Sequence, residues 1–268
     1  MKTSLIVTTY NRPDALALCL ESIFRQRVLP DEIIVGDDGS RNDTAELVER
    51  YRRISPVPLI HVWQEDDGFR LAMIRNKCIA RARYDYIIQI DGDLILHDRF
   101  VEDHRRFAET GYYVRGSRAY IERSLTEKSC KNPDPAAVST PWFATPGISR
   151  RLNAFRWPAL AAYLACHRNT KNPALGTNMA YWRDDAIRIN GFDEAFTGWG
   201  GEDDDFAVRM LNSGVRKKHV TFACIIFHLW HGHPYMDNKE KNRARVDESR
   251  TDKAIRCELG VDRYIPQS

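Results

Sequence analysis

The N-terminal part of the chain alternates apolar, β-rich runs with stretches of helical periodicity, and this order constrains the fold more than any other feature. Residues 5–9, 32–36, 59–63 and 84–90 read as strands. Residues 15–25, 44–53 and 74–83 read as helices, the first with Leu16, Leu20, Ile23 and Phe24 on its inner stripe. Such alternation builds βαβ units around a mostly parallel sheet with flanking helices, an α/β fold. In an open sheet of this class, ligands sit outside the carboxyl ends of the strands. The tips at Tyr10-Asn11-Arg12, Asp37-Asp38 and Asp91-Gly92-Asp93 are therefore expected to converge on one crevice.

Residues 124–173 are rich in Pro, Ser, Lys and Arg, with broken periodicity, and predict a long loop region around a short helix at 158–167. Order returns from Gly176, with an acidic helix starting near Glu202, a strand at 220–227, and then His228-Leu229-Trp230-His231-Gly232-His233. There is no internal repeat.

A hydrophobic content of 43% with 29% charged residues is ordinary for a soluble globular protein, and no apolar run approaches the roughly 18 residues of a membrane span. Met1-Lys2-Thr3 leads directly into the first strand without the apolar stretch of a secretory signal, so a cytoplasmic address is expected. Cys19, Cys78, Cys130, Cys166, Cys224 and Cys257 are scattered, show no CxxC pairing and read as reduced core thiols. A net charge of +3 is too small to argue for nucleic acid. Basic residues bunch late in the chain: Arg216, Lys217, Lys218, Lys239, Lys241, Arg243 and Arg245. They read as a solvated face, or as a patch that meets a phosphorylated acceptor or makes peripheral contact with the anionic headgroups of a cytoplasmic membrane face.

Adjacent carboxylates repel, so a fold keeps a run such as Glu202-Asp203-Asp204-Asp205 where the charges bind a metal, accept a proton or cap a helix. Part of the run suits the first turn of the helix that follows. Trp199, set between glycines, has no regular element to pack on, and an indole beside acids makes a sugar platform. Asp91 and Asp93 flank Gly92, so both carboxylates can enter the crevice while the glycine admits a ligand to the backbone. Oxygen ligands of this kind suit Mg²⁺ or Mn²⁺ with the phosphates of a nucleotide. His228 follows an apolar strand and ranks first as a third ligand, ahead of His231 and His233, although a lone histidine is more often structural. Asp37 and Asp38 suit hydrogen bonds from a base or ribose, and Asp38-Gly39-Ser40 also fits a capped turn. Arg75 reaches a ribose or phosphate, or stays solvent-exposed.

The segments SLIVTTYNRP, EIIVGDDGS, GFRLAMIRNKCIARA and IQIDGDLI resemble the GT-A-fold glycosyltransferases of family 2. The later GTNMAYWRDDAIRINGFDEAFTGWGGEDDDFAVRM resembles the acceptor-side region shared with β-1,4-galactosyltransferases and bacterial chondroitin polymerases, so the resemblance covers about residues 3–235. It implies one GT-A domain with a Rossmann-like sheet: a nucleotide-sugar-binding half at about 1–100, an acceptor-binding half at about 101–235, and a basic tail at about 236–268. Carried over by position, it makes Tyr10, Arg12, Asp37, Asp38, Arg75, Asp91 and Gly92 donor contacts. Asp93, His228 and Asp91 become metal ligands, with His231 and His233 as alternatives. Asp203 becomes the catalytic base, and Trp199, Gly201, Glu202 and Asp204 lie by the acceptor. The implied activity is inverting transfer from a UDP-linked donor, with Mn²⁺ or Mg²⁺, to a saccharide or glycolipid in bacterial surface polysaccharide or lipooligosaccharide synthesis. Two other readings compete. A sugar-1-phosphate nucleotidyltransferase would place a glycine-rich, lysine-bearing loop where this chain has Tyr10-Asn11-Arg12-Pro13. A non-catalytic carbohydrate-binding module would explain Trp199 but not a crevice of strand tips.

Overall fold

The computed structural model describes residues 1–131, 133, 145–165, 176–232 and 238–266. The chain opens with β1 (Thr3–Thr9), α1 (Pro13–Phe24), β2 (Glu32–Asp37), α2 (Asn42–Ile54), β3 (Leu59–Trp63), α3 (Leu71–Arg81) and β4 (Tyr86–Asp91), the order expected from sequence. Every residue of β1 and β2 is buried, which is why these runs lack polar alternation. Leu5 and Val7 pack on one face of the sheet and Ile6 on the other, as a period of two requires. Pro13 sits in the first turn of α1, where its missing N–H costs nothing.

There follow β5 (Leu94–Leu96), α4 (Phe100–Phe107), β6 (Tyr112–Arg115), β7 (Ser117–Ile121), α5 (Arg123–Lys131), β8 (Ile148–Ser149), α6 (Pro158–Ala165) and β9 (Asn178–Trp182). The chain then forms α7 (Arg183–Arg188), α8 (Glu202–Asn212), β10 (Arg216–His219), β11 (Ile225–His228) and α9 (Lys239–Thr251). The main sheet has the order β10-β6-β9-β4-β1-β2-β3. Its strands pair in parallel except around β9, which runs antiparallel to both β4 and β6. From β1 the chain steps to β2 and β3 on one side and then to β4 on the other, so the strand order reverses at β1. A crevice opens at such a switch point. A smaller sheet, β5-β11-β7-β8, carries the end of β11 to the same crevice.

Two expectations are corrected. The region 124–173 is not a plain loop, since it holds most of α5, the short strand β8, a 3₁₀ turn at Arg151–Ala154 and α6; of the expected helix at 158–167, residues 166 and 167 lie outside the described residues. The expected strand at 220–227 forms only from Ile225, because Phe222 and Cys224 adopt left-handed φ of 64° and 50° that no strand accepts. That stretch is held instead by the Ser117 hydroxyl donating to the Val220 carbonyl and the Cys224 N–H donating to Asp103.

The basic residues do not form one tail. Arg216 to Lys218 lie in β10 at the sheet edge, whereas Lys239 to Arg245 lie in α9, which packs on α8 through Val246, Val208 and Phe196. Cys19, Cys78 and Cys224 are buried free thiols, Cys130 and Cys257 are free and half-buried, and Cys166 lies outside the described residues. Among the described residues no helix is long and apolar enough to cross a membrane.

Candidate active site

The backbone bends after β1 at Asn11, whose φ of 48° an asparagine tolerates. Its N–H donates to Ser40 Oγ at 2.8 Å and its Oδ1 accepts from the Arg41 N–H at 3.0 Å, tying the tips of β1 and β2 together. The neighbouring aspartates then face different surroundings. Asp38 turns toward the crevice, accepting from Gln64 Nε2 at 2.5 Å and the Arg70 N–H at 2.9 Å, and burial pushes its carboxyl up to about 6. Asp37 is 0% exposed, accepts the Ser40 N–H at 2.8 Å and lies 3.1 Å from His61 Nε2. Tyr10 flanks the mouth, its hydroxyl donating to Asp66 at 3.0 Å.

Asp93 gathers a different set. Arg12 Nη1 donates to its Oδ2 at 3.3 Å, while His228 Nε2 stands 3.8 Å from Oδ1 and His231 Nε2 3.7 Å from Oδ2. Those two separations are too long for hydrogen bonds, yet they suit a single ion held at about 2.1 Å from each ligand. The ligand atoms of Asp93, His228 and His231 all lie within 4.8 Å of one another, and buried Asp93 Oδ1 has no hydrogen-bond partner. One carboxylate and two imidazoles suit a divalent transition-metal ion, Mn²⁺ among them, better than Mg²⁺. Burial also holds His228 below the usual imidazole range, favouring the neutral, ligating form.

Helix α8 brings the acids. Phe206 stacks on Phe192 at 4.3 Å and meets Tyr181 at 5.0 Å, contacts worth about 0.5–1.5 kcal/mol each beyond burial, which fix the helix on the sheet with its N-terminus toward the crevice. Gly201 adopts φ +100°, and a Cβ there would meet the Phe196 ring at 3.0 Å, so only glycine fits the turn that presents Trp199, 37% exposed. The four acids then separate. Asp205 is spent on Arg209 at 2.7 Å and on the Ser249 hydroxyl at 2.6 Å, locking α8 to α9. Asp203 accepts the Gly176 N–H at 2.8 Å and the Asp204 N–H at 3.0 Å, and a Cβ at Gly176 would come within 2.5 Å of its carboxylate. Glu202 is buried; its Oε1 accepts from Arg75 and its Oε2 has no partner. Burial, then the neighbouring Asp203, pushes Glu202 up to about 7.

Arg75 joins the halves. It is 1% exposed, donates to Glu202 at 3.1 Å and to Asp91 at 3.2 Å, and lies 5.2 Å from the centre of the Phe192 ring. Two cavities meet at Asp91, Arg118, Thr177 and Trp199. The smaller, about 430 Å³, runs past Tyr10, Arg12, Asp38 and Asp93, and the larger, about 690 Å³, runs past Glu202, Asp203, Asp204 and α9.

Residues 4–162 match the family described as glycosyl transferase family 2, and residues 160–232 match the N-terminal domain of galactosyltransferase. The chain belongs to glycosyltransferase family 2. It is 28% identical over 260 residues to a chondroitin synthase of Escherichia coli, covering 90% of this chain and 36% of that protein. It is 29% identical over 224 residues to a hyaluronan synthase of Pasteurella multocida, covering 79% of this chain and 23% of that one. The transferase thus spans about a third or less of these polysaccharide synthases. Its fold is GT-A. S. aureus TarS 1–349 in complex with UDP superposes with a TM-score of 0.65 at 16% identity, over 98% of this chain and 68% of that one. GalNAc-T7 with UDP, GalNAc and Mn²⁺ superposes at 0.67 and 16%, over 94% and 49%.

The structure brings Tyr10, Arg12, Asp38, Asp91, Asp93, His228 and His231 to the smaller cavity, and Trp199, Gly201, Glu202, Asp203 and Asp204 to the larger. Two expectations for this glycosyltransferase do not fit the geometry, a ligand contact for Asp37 and a metal-ligand role for Asp91, and two others, Arg75 and Gly92, take more particular places. Asp37 is committed to the turn and to His61 beneath the crevice, so it offers a ligand nothing. Asp91 accepts from Thr8 Oγ1 at 3.0 Å and from Arg75, and stands outside the Asp93 cluster, in which His231 joins His228 instead of replacing it. Arg75 is a buried bridge rather than a solvent-exposed helix arginine, and it lines the larger cavity. Gly92 does line the smaller cavity, but a Cβ there would meet the Thr8 carbonyl at 3.1 Å and Leu16 at 3.3 Å, so its small size serves packing against β1 and α1. His233 lies outside the described residues. Sequence reasoning missed Arg115, Arg118 and Thr177, which no periodicity marks. It left Lys239 and Arg243 between a solvated face and an anion-binding patch, although their one-turn spacing on α9 was a signal of a shared face.

Replacing Arg75 with methionine is expected to destabilise the protein by about 3–5 kcal/mol, because Glu202 is left as an uncompensated buried charge. The raised Glu202 pKa sets the sign of the pH dependence. A carboxyl that holds its proton more tightly when folded stabilises below the ordinary carboxylate range and loses that contribution as pH rises through about 7. The deficit of Arg75→Met should therefore shrink in urea titrations at pH 5 relative to pH 8. Combining it with Glu202→Gln should remove most of the difference.

Proposed function

We propose that this family 2 glycosyltransferase is an inverting, divalent-metal-dependent enzyme. It moves a sugar from a UDP-linked donor to a saccharide hydroxyl in cytoplasmic synthesis of a surface polysaccharide or lipooligosaccharide, and residues 1–268 work as one domain. The observation that carries the reading is the Asp93–His228–His231 cluster with its unpartnered Asp93 oxygen, set beside the strand-tip cavity. Similarity to TarS with UDP and to GalNAc-T7 with UDP and Mn²⁺ supports the donor and the ion.

Tyr10, Arg12 and Asp38 hold the nucleoside end of the donor, with Asp38 fixed by Gln64 and the Arg70 N–H. Asp93, His228 and His231 would hold Mn²⁺ or Mg²⁺, whose charge would offset that growing on the diphosphate leaving group. Trp199 covers the apolar face of the acceptor sugar. Asp203 takes the proton from the acceptor hydroxyl as that oxygen bonds to the anomeric carbon and the diphosphate departs. The Gly176 and Asp204 N–H groups keep the carboxylate aimed, and each of its oxygens retains a free lone pair for that proton.

One displacement with one base inverts the anomeric centre. An α-linked UDP-sugar is expected to give a β-linked product, read from the anomeric coupling constant by NMR. An α-linked product overturns the mechanism and the role of Asp203.

A further inference from the structure

The larger cavity carries cations that the transfer reaction does not use. Arg115, at the end of β6, and Arg118, in β7, both line it, as do Lys239 and Arg243 from one face of α9. Lys239 and Arg243 are exposed and stand one helical turn apart, about 6 Å along the axis. Among the described residues these four groups form no ion pair. Arg118 Nη1 reaches only the Thr177 hydroxyl at 3.4 Å, with its guanidinium 4.9 Å from the centre of the Tyr120 ring. Arg250, farther along α9, is shared with Asp247 of its own helix.

Arg115 is the telling member. It is half-buried, and its buried Nε has no hydrogen-bond partner. Burial first, and then the like charge of Arg118, push its guanidinium below the usual range, against the opposing pull of Tyr113, Asp204 and Asp203. An arginine does not shed its proton in a protein, so the fold holds two guanidinium groups together against their repulsion. Such a pair gains most from a ligand that brings negative charge and planar acceptor oxygens.

We propose that the acceptor of this enzyme is an anionic glycan, bearing carboxylate or phosphate groups that Arg115 and Arg118 grip at the reacting end while Lys239 and Arg243 follow the next residues of the chain. The inference rests on the transferase reading above, because it takes the larger cavity as the acceptor's. The acids at the N-terminus of α8 serve the attacking hydroxyl, Arg115 and Arg118 serve charge at that end of the glycan, and Lys239 and Arg243 serve charges farther along it. Placing them on separate elements lets one cavity hold both.

The probes are a hexuronate-containing oligosaccharide, the same oligosaccharide with its carboxyl groups reduced to alcohols, and a glycerol-phosphate oligomer. Each is titrated calorimetrically into the whole protein with UDP and Mn²⁺. At least one anionic probe should bind about tenfold or more tighter than the reduced one, with the margin shrinking as salt is raised. The winning probe distinguishes carboxylate from phosphate. Lys239→Gln/Arg243→Gln should lose most of that margin without a change in melting temperature, and Arg115→Gln, checked separately for folding, should do the same. Arg52→Gln/Arg53→Gln on α2 is the control and should keep the margin. Equal affinity for charged and reduced probes, or an equal loss in the α2 control, overturns the proposal. Hydrolysis of UDP-sugars by the wild type with Mn²⁺ is measured in parallel. Hydrolysis without an anionic preference removes this inference alone, while its absence strikes the transferase reading.

Discussion

Asp93→Ala is expected to abolish metal-dependent UDP binding and sugar transfer while the protein stays folded. Asp93 stands at the centre of the proposed ion site, with His228 and His231 at 3.8 and 3.7 Å, and no other carboxylate joins that cluster among the described residues. Removing it leaves two imidazoles, which hold a hard divalent cation poorly. The fold tolerates the change because Asp93 lies at a crevice rim, its side chain 16% exposed, and Arg12, its ion-pair partner at 3.3 Å, has access to water. Saturating UDP with Mn²⁺, at about a hundredfold over Kd, stabilises a protein by about 2.7 kcal/mol, or roughly 5–10 °C in melting temperature for a chain of this size. That shift should vanish in Asp93→Ala. Asp91→Ala is expected to behave differently: it strips a partner from buried Arg75, so it lowers the melting temperature of the protein without ligands. An unchanged Mn²⁺-dependent shift in Asp93→Ala would place the ion elsewhere.

The contrast between these neighbouring aspartates shows what sequence could and could not resolve. The βαβ order was legible because β1, β2 and β4 are buried along nearly their whole length, which leaves runs such as Leu5-Ile6-Val7 with no polar interruption. Converging strand tips follow from that order, so Asp38, Asp91 and Asp93 could be assigned to one crevice. Which of two adjacent acids faces the ligand could not, since Asp37 and Asp38 are separated by a hydrogen bond to Ser40 and by His61 from β3. Arg75 shows the same limit. Its burial depends on Glu202, far along the chain, and on the ring of Phe192. The polar composition of α9 leaves a solvated face and a binding patch both open, whereas in the fold Asn242 and Val246 are buried and the helix walls the larger cavity. A composition shift marks solvent exposure only when no neighbouring element presents matching partners, and here Asp205 and the Gly200 carbonyl do.

Asp203→Asn should cut the transfer rate by at least roughly a hundredfold while leaving donor affinity nearly unchanged, the usual scale for losing a general base. The amide keeps the shape but cannot take a proton. It also keeps only one acceptor oxygen, whereas Asp203 accepts from both the Gly176 and Asp204 N–H groups, so a stability loss of about 1–2 kcal/mol is expected as well. That loss is small enough for the variant to remain folded through a single-turnover measurement with saturating donor. The two following acids supply the comparison. Asp204 lines the larger cavity, the proposed acceptor site, and Asp204→Asn should raise the acceptor KM with little change in kcat. Asp205 is buried against Arg209, so Asp205→Asn should cost about 3 kcal/mol or more of stability and spare the chemistry of whatever protein remains folded. Three neighbouring acids thus give three signatures, in rate, in acceptor affinity and in stability. A helix whose acids served only its dipole would show a small stability change at each position and no rate effect at any. A loss of kcat confined to Asp204 would move the base by one residue, and no loss of kcat in any of the three variants would remove the N-terminus of α8 from the proton transfer altogether.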